Sequence, residues 1–470
     1  MNKVTYSTNT FNTDTYPGGE KILFIGLAQS SHTHSWINLL EEREFNIRLF
    51  AVPPVPVPSD NWKIHTYLST FNSPNGLNPA LYQSLYANQE IYNFLISKHP
   101  LLFPVRLFNK IYTLLAPQSN FPESVLFTLS KAFPFLIKDK DIKKFRSYYY
   151  LSPNESGKRP DSPEAWLAEI INTWQRDIID TLGMDHHQGG FFFNEVRKKY
   201  QLNKTWKWVV QTRGGSDLEL NRFEPAKVVQ IKEIFETCDR IISDNTVNIE
   251  YAAEMGICRD KFAPLTPVPG TGGIDVESFA AARQTPPSQR ERIILWPKAY
   301  DSQWSLALPV FEALKNCWSQ IQPCKIYMLA MDTPSTRDWS RSLPPEILQN
   351  CVIHNRLPRQ EALDLMARAR ILLIPSLVDG IPNSLYEAMA SGTFPIVSPL
   401  NTISTCVSEP HNVLFARNLY PAEIAQALIH AMSDDALVDA AAQNNLEKVR
   451  QIADRETIRQ RVVAFYQSLL

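Results

Sequence analysis

The stretch 371–397, ILLIPSLVDGIPNSLYEAMASGTFPIV, restricts the fold more than any other part of the 470-residue chain. Two short, uncharged apolar runs, 371–375 and 393–397, bracket a segment of helical spacing. Runs this short without polar alternation predict strands buried on both faces, the condition of a parallel sheet covered by helices. Asn383 and Ser384 suit the N-terminal cap of a helix over 385–391, and Gly392 suits its end. Strand, loop, helix, glycine and strand make half of a parallel α/β wrap. The loop carries Asp379, Gly380, Ile381 and Pro382, and Glu387 follows Asp379 by eight positions. A helix N-terminus has N–H donors without intrahelical partners and partial positive charge, so an anion, expected to be a phosphate, belongs there. Glu387 is then near enough to take a sugar hydroxyl.

Size and composition point to an ordinary globular protein of two to three domains, 44% apolar with a net charge of −1. That charge balance gives no reason to expect nucleic acid as a partner. The six cysteines form no CxxC pair and have no histidine at ligand spacing, so they read as reduced thiols of a cytoplasmic protein, and no metal is expected. Residues 1–19 are polar and lack the apolar core of a secretory signal. No uncharged apolar run approaches the roughly 18 residues of a membrane span.

The N-terminal part opens as a βαβ unit of Rossmann type: strand 21–26, a helix with Trp36, Ile37, Leu39 and Leu40 on its apolar face, and strand 45–52. No G-x-G-x-x-G fingerprint stands there, which argues against a dinucleotide site. His32 and His34 follow the first strand, at the edge where such sheets bind ligands; packing or capping is the alternative role. A stiff PPVPVP connector at 53–58 leads on. Aromatic and aliphatic residues at helical spacing over about 75–150 predict a helical insertion. Its part 98–148 is basic and aromatic, which fits a peripheral membrane contact, an anionic acceptor site, or simply a solvated basic face. A strand at 178–183 runs into MDHHQGG. Adjacent histidines cannot both face one ligand in regular structure, so His186 or His187 is the candidate there. After strand 207–212, Arg213, Gly214, Gly215 and Asp217 form a loop suited to a sugar hydroxyl, or an Arg–Asp pair that shapes the loop itself.

Gly, Pro and charge cluster at 267–290, the clearest boundary in the chain. Strands at 293–296, 325–330 and 351–354 then precede the opening stretch, and helices at 421–432 and 435–470 follow it. Lys298 leaves its strand at the same sheet edge as Asp379 and Glu387, where a cation offsets a diphosphate. The division is therefore 1–270 as an N-terminal domain, 288–450 as a C-terminal domain, and 451–470 as a helix returning to the first.

The opening stretch resembles the donor-site signature of retaining GT-B glycosyltransferases of the glycosyl transferases group 1 type. That signature runs acid, Gly, hydrophobic, Pro, four residues, Glu-Ala-Met-Ala-x-Gly; here it is Asp379-Gly380-Ile381-Pro382 and Glu387-Ala388-Met389-Ala390-Ser391-Gly392. The 31–37 segment looks like the family's first-helix opening, Gly215-Ser216-Asp217 like its Gly-Ser-Asp loop, and Gly272-Gly273-Ile274-Asp275 with Phe279 like its linker. The resemblance covers about 20–60 and 160–440 and leaves out the insertion.

It implies an α/β GT-B fold, two Rossmann-like domains facing across a cleft, with acceptor in the N-terminal domain and a UDP- or GDP-sugar in the C-terminal one. Glu387 would hold the ribose hydroxyls, Asp379 with the backbone at Gly380 and Ile381 the donor sugar, and Ser384 and Leu385 N–H a phosphate. Lys298 would offset the departing diphosphate, with no metal. His32, His34, His186, Arg213 and Asp217 would line the acceptor half, His186 beside the chemistry. The reaction implied is hexosyl transfer with retention to a saccharide or lipid-linked acceptor, as in bacterial polysaccharide biosynthesis. A sugar-nucleotide epimerase or hydrolase, or a non-catalytic scaffold binding a partner through the insertion, are the alternatives. Three departures stand out: Asp379 is one methylene shorter than the usual Glu, the usual basic pair is reduced to Lys298 because Arg292 precedes its strand, and 401–407 lacks a Pro-Glu.

Overall fold

A computed structural model describes residues 16, 18–28, 30–40, 45–52, 64–67, 163–185, 188–214, 216–331, 333–355 and 357–470. The insertion expected at 75–150, its basic part, His186, His187 and Gly215 lie outside the described residues.

The described elements begin with β1 (Lys21–Gly26), α1 (Ser31–Ile37), β2 (Asn46–Ala51) and β3 (His65–Tyr67). Next come α2 (Pro163–Thr173), β4 (Ile178–Thr181), α3 (Gly190–Lys199), β5 (Lys207–Thr212), α4 (Pro225–Thr237), β6 (Arg240–Ser243) and α5 (Val247–Glu254). The sheet order is β3-β2-β1-β4-β5-β6. The second set is β7 (Glu291–Trp296), α6 (Leu308–Ile321), β8 (Lys325–Met328), α7 (Pro334–Ser340), α8 (Pro345–Leu348), β9 (Cys351–Ile353), α9 (Arg359–Arg368) and β10 (Ala369–Ile374). It ends with α10 (Asn383–Ser391), β11 (Phe394–Val397), α11 (Asn401–Ser404), β12 (Leu414–Phe415), α12 (Pro421–Ser433), α13 (Asp435–Ala453) and α14 (Arg455–Ser468). Its sheet order, β12-β11-β10-β7-β8-β9, is the same doubly wound order read from the other edge. Every pairing in this sheet is parallel.

The apolar runs behave as two-faced buried strands. In β7 and β10, Ile294, Trp296, Ile371 and Leu373 join a core with Val310, Phe311 and Leu314 of α6 and Ile424 and Leu428 of α12. The alternate residues Ile293, Leu295, Leu372 and Ile374 join a second core with Leu365 of α9, Leu385 and Met389 of α10, and Val449 of α13. Strand period two thus splits one apolar run between two helical layers.

Two sequence expectations shift. The helix expected over 435–470 is broken at Asp454, whose carboxylate accepts from Thr457 N at 2.9 Å and caps α14. Ile274 intrudes at the break, donating its N–H to Ala453 O and accepting from Arg455 N, both at 2.9 Å. Gly273 makes this possible: at φ +82° a Cβ there would lie 2.5 Å from Ala453 O. Second, α10 starts at Asn383 rather than 385, with extended Pro382 at the N-cap and no side-chain cap. Asn383 is turned instead toward Thr271, whose hydroxyl donates to its Oδ1 at 2.9 Å.

The described residues of Ser35–Arg43, Asp180–Asp185 and Lys207–Leu470 form one compact unit, containing the whole second sheet with β5 and β6. Among the described residues no helix is long and apolar enough to cross a membrane.

Candidate active site

In a doubly wound sheet the strand order reverses at one point, and the loops leaving the two strands there open a crevice. In the second sheet that point lies between β7 and β10. Lys298 leaves β7 and Asp379 leaves β10, and the Lys298 ammonium donates to Asp379 Oδ2. The pair is half-buried, 23% and 19% exposed. Burial would lower the Lys298 ammonium, but Asp379 and Tyr300 hold it above the ordinary lysine value. Ser376 Oγ donates to Asp379 Oδ2 at 3.2 Å.

The loop itself is tied down by groups far away in sequence. Trp304 O accepts from Leu377 N at 2.7 Å. Asn418 Nδ2 donates to Pro375 O at 2.8 Å, and Thr402 Oγ1 to Asp379 O at 2.7 Å. These bonds satisfy backbone carbonyls that a buried loop would otherwise leave orphaned. Gly380 has a steric reason: a Cβ there would lie 2.8 Å from Gly214 Cα and from Asp244 Oδ2. Asp244 accepts from Gly214 N at 2.7 Å. Burial raises its carboxyl to about 6, and Asp379 adds to the rise.

Glu387 lies inside α10 and is nearly buried, 8% exposed, whereas Arg359 at the start of α9 is 68% exposed. Arg359 Nη2 meets Glu387 Oε1 at 2.6 Å. Burial raises the Glu387 carboxyl and Arg359 counters the rise. Ser384 lies in the first turn of α10, where N–H groups lack intrahelical acceptors. Leu385 N donates to Pro382 O at 2.9 Å.

The structure therefore gathers Lys298, Asp379 and Gly380, and places Ile381, Ser384, Leu385 and Glu387 on the segment that continues from them. Arg213 and Asp217 are placed differently from a solvent-facing pair. The Arg213 guanidinium is buried and donates to Gln211 Oε1 at 3.0 and 2.6 Å. Asp217 is fully buried and accepts from Arg213 N at 2.6 Å, closing the loop. Burial, with Asp185 nearby, raises its carboxyl to about 8. His32 and His34 both lie in α1. Arg292 lies inside β7 rather than before it, and its guanidinium donates to the carbonyls of Ile321, Pro323 and Met432. Sequence reasoning missed Arg359, Thr402, Asn418, Asp244 and Thr271. Only Arg359 had a signal, a cation opening a helix after a strand.

Residues 310–434 match the family described as Glycosyl transferases group 1. This part of the chain, roughly a quarter of its length, is similar to that family. The matched span contains β10, α10 and the whole Asp379–Glu387 segment. Among solved structures, sucrose-phosphate synthase from Thermosynechococcus elongatus aligns at 14% identity and TM-score 0.59, over 96% of this chain and 99% of that one. Anabaena HepE in complex with UDP-glucose aligns at 10% and 0.58, over 95% and 99%. The UDP-forming α,α-trehalose-phosphate synthase of Burkholderia vietnamiensis aligns at 13% and 0.57, over 96% and 100%. At such identities the likeness is one of fold, and the fold is GT-B, with two parallel-sheet Rossmann-like domains. A search of curated protein sequences returns no match.

Proposed function

We propose that the chain transfers a hexose from a nucleoside-diphosphate sugar, UDP- or GDP-linked, to a saccharide or lipid-linked acceptor, with retention and without a metal. The observation that carries this reading is the Lys298–Asp379 pair at the switch point of the second sheet, directly before α10. Cleaving the sugar–phosphate bond releases a diphosphate, and negative charge grows on its oxygens in the transition state. A charged lysine and a helix N-terminus stabilise that charge, the task a divalent cation performs elsewhere. Asp379 holds the ammonium in place and protonated before the donor arrives. Asp379 would then contact the donor sugar with the backbone at Gly380 and Ile381, and Ser384 and Leu385 would sit at the phosphate. Glu387 would accept from the ribose hydroxyls, and Glu387→Ala should weaken donor binding by about 1.5–3 kcal/mol.

On this reading 288–450 is the donor domain and 1–270 the acceptor domain, where His32, His34 and His186 are the candidate acceptor-side residues, while Arg213 and Asp217, buried and bonded within their own loop, shape it instead. A cytoplasmic enzyme of polysaccharide assembly, touching the membrane peripherally through 98–148, fits the same reading. The HepE complexed with UDP-glucose and the UDP-forming synthase support a UDP-sugar as the first donor to try. The test is release of free nucleotide from a panel of UDP- and GDP-sugars, with and without EDTA and with saccharide acceptors. Turnover unaffected by EDTA, with an α-linked product from an α-linked donor, is expected. No turnover and no thermal shift with any nucleotide would sink the enzyme reading. Activity lost in EDTA would sink the metal-free step.

A further inference from the structure

Glu387 is a carboxylate at a costly address. It sits within α10, whose apolar side chains join the second core, and its Oε1 is buried, with Arg359 Nη2 2.6 Å away. A carboxylate so placed either takes up a proton or needs a cation. The cation present is Arg359, which reaches in from the exposed start of α9. Arg359 is the charged group that acts on Glu387. Arg359 in turn lies in the field of Arg455, which Arg459 and Asp275 also influence. Arg455 is committed elsewhere, to Ser35 O at 2.7 Å and Thr271 O at 3.1 Å.

We infer that Arg359 is a positioning residue for the nucleotide's ribose: it holds Glu387 ionised and turned outward, so that the carboxylate accepts from two sugar hydroxyls. This rests on the donor-site reading above. A neutral carboxylic acid offers a poorer acceptor pair than a carboxylate, and hydrogen bonds to the charged form are about twice as strong. Arg359 thus acts on ribose through Glu387.

The experiment uses the full chain, as wild type and as Arg359→Gln, Arg359→Lys and Glu387→Gln. Each is titrated calorimetrically with the nucleoside diphosphate that the donor panel selects and with its 2′,3′-dideoxy form, at about pH 5.5 and about pH 8.5. The quantity read is the preference for the hydroxylated form. Wild type should show a preference on the order of tenfold or more at both pH values. Arg359→Gln should lose it at the lower pH and recover part of it at the higher, because without its cation Glu387 is protonated in acid. Arg359→Lys should lie between the two. Arg359 is exposed, so these variants should fold. An unchanged preference in Arg359→Gln overturns the inference, and so does equal weakening of both ligands, which would mean direct contact with phosphate or base. If wild type binds and Glu387→Gln leaves the preference intact, Glu387 does not hold the ribose and the inference falls while the transferase reading survives. If wild type binds neither ligand, the transferase reading itself fails.

Discussion

Tyr466→Phe is the substitution whose cost can be worked most directly. Tyr466 is fully buried on α14, and its hydroxyl donates to Asp180 Oδ2 while accepting from Trp36 Nε1 at 3.2 Å. Asp180 Oδ2 also accepts from Gln211 Nε2 at 3.0 Å, and Gln211 Oε1 takes both bonds from Arg213. Phenylalanine keeps the ring and removes one oxygen, so no sizeable cavity opens. The loss is one strong bond to Asp180 and the acceptor of the Trp36 N–H. A bond to a charged partner contributes about 1.5–3 kcal/mol and an orphaned buried donor costs about 1–3 kcal/mol, so roughly 2.5–6 kcal/mol is expected. Burial raises the Asp180 carboxyl to about 7, while Tyr466 pulls it down. The hydroxyl therefore favours the ionised form, and its removal should cost more at pH above about 7 than at pH about 5.5. Hydrogen exchange with increasing urea, read on peptides from Arg455–Ser468, reports the opening of this helix without assuming two-state unfolding of the chain. A change under about 0.5 kcal/mol at both pH values would refute the reasoning.

Three further outcomes are expected. Lys298→Met should lower nucleotide release on the order of 10²-fold, the usual effect of losing one group aimed at developing charge; steady-state kinetics that leave kcat intact would remove Lys298 from the site. Gly380→Ala forces a Cβ to within 2.8 Å of the Gly214 backbone, which should cost about 1–3 kcal/mol in thermal or denaturant unfolding and move the Asp379 loop. A variant as stable and active as wild type would show that the approach is not tight. Asp217, whose carboxyl burial raises to about 8, contributes stability that is fully present below its unfolded pKa and lost as pH rises through about 8. Asp217→Asn should match wild type in melting temperature near pH 5 and exceed it above about pH 8; parallel profiles would contradict this.

Much of the scaffold was legible in the sequence because it follows from local rules. Apolar runs such as 371–375 and 21–26 are too short and too uniformly apolar to be anything but strands covered on both faces. Gly392 ends α10 in the left-handed region, as its position suggests. The acid-to-acid spacing from Asp379 to Glu387 is a property of one contiguous segment. The break at Asp454 was not legible, because the helical pattern continues through it. What breaks the helix is Ile274, about 180 residues earlier, threading its backbone between Ala453 and Arg455.

By itself, then, the sequence determined the alternation of strands and helices, the glycines at forced turns, and the residues from Asp379 to Glu387 that share one loop and one helix. Only the tertiary structure decided which distant groups meet them: Lys298 on Asp379, Arg359 on Glu387, Thr402 and Asn418 on the loop carbonyls, and Gly214 against Gly380. It also turned Arg213 and Asp217 inward, into a buried network with Gln211, Asp180 and Tyr466. Periodicity and capping act over a few residues and are written in order along the chain. Charge pairing and steric approach act through space, and they exist only once the sheet order has brought the strand ends together.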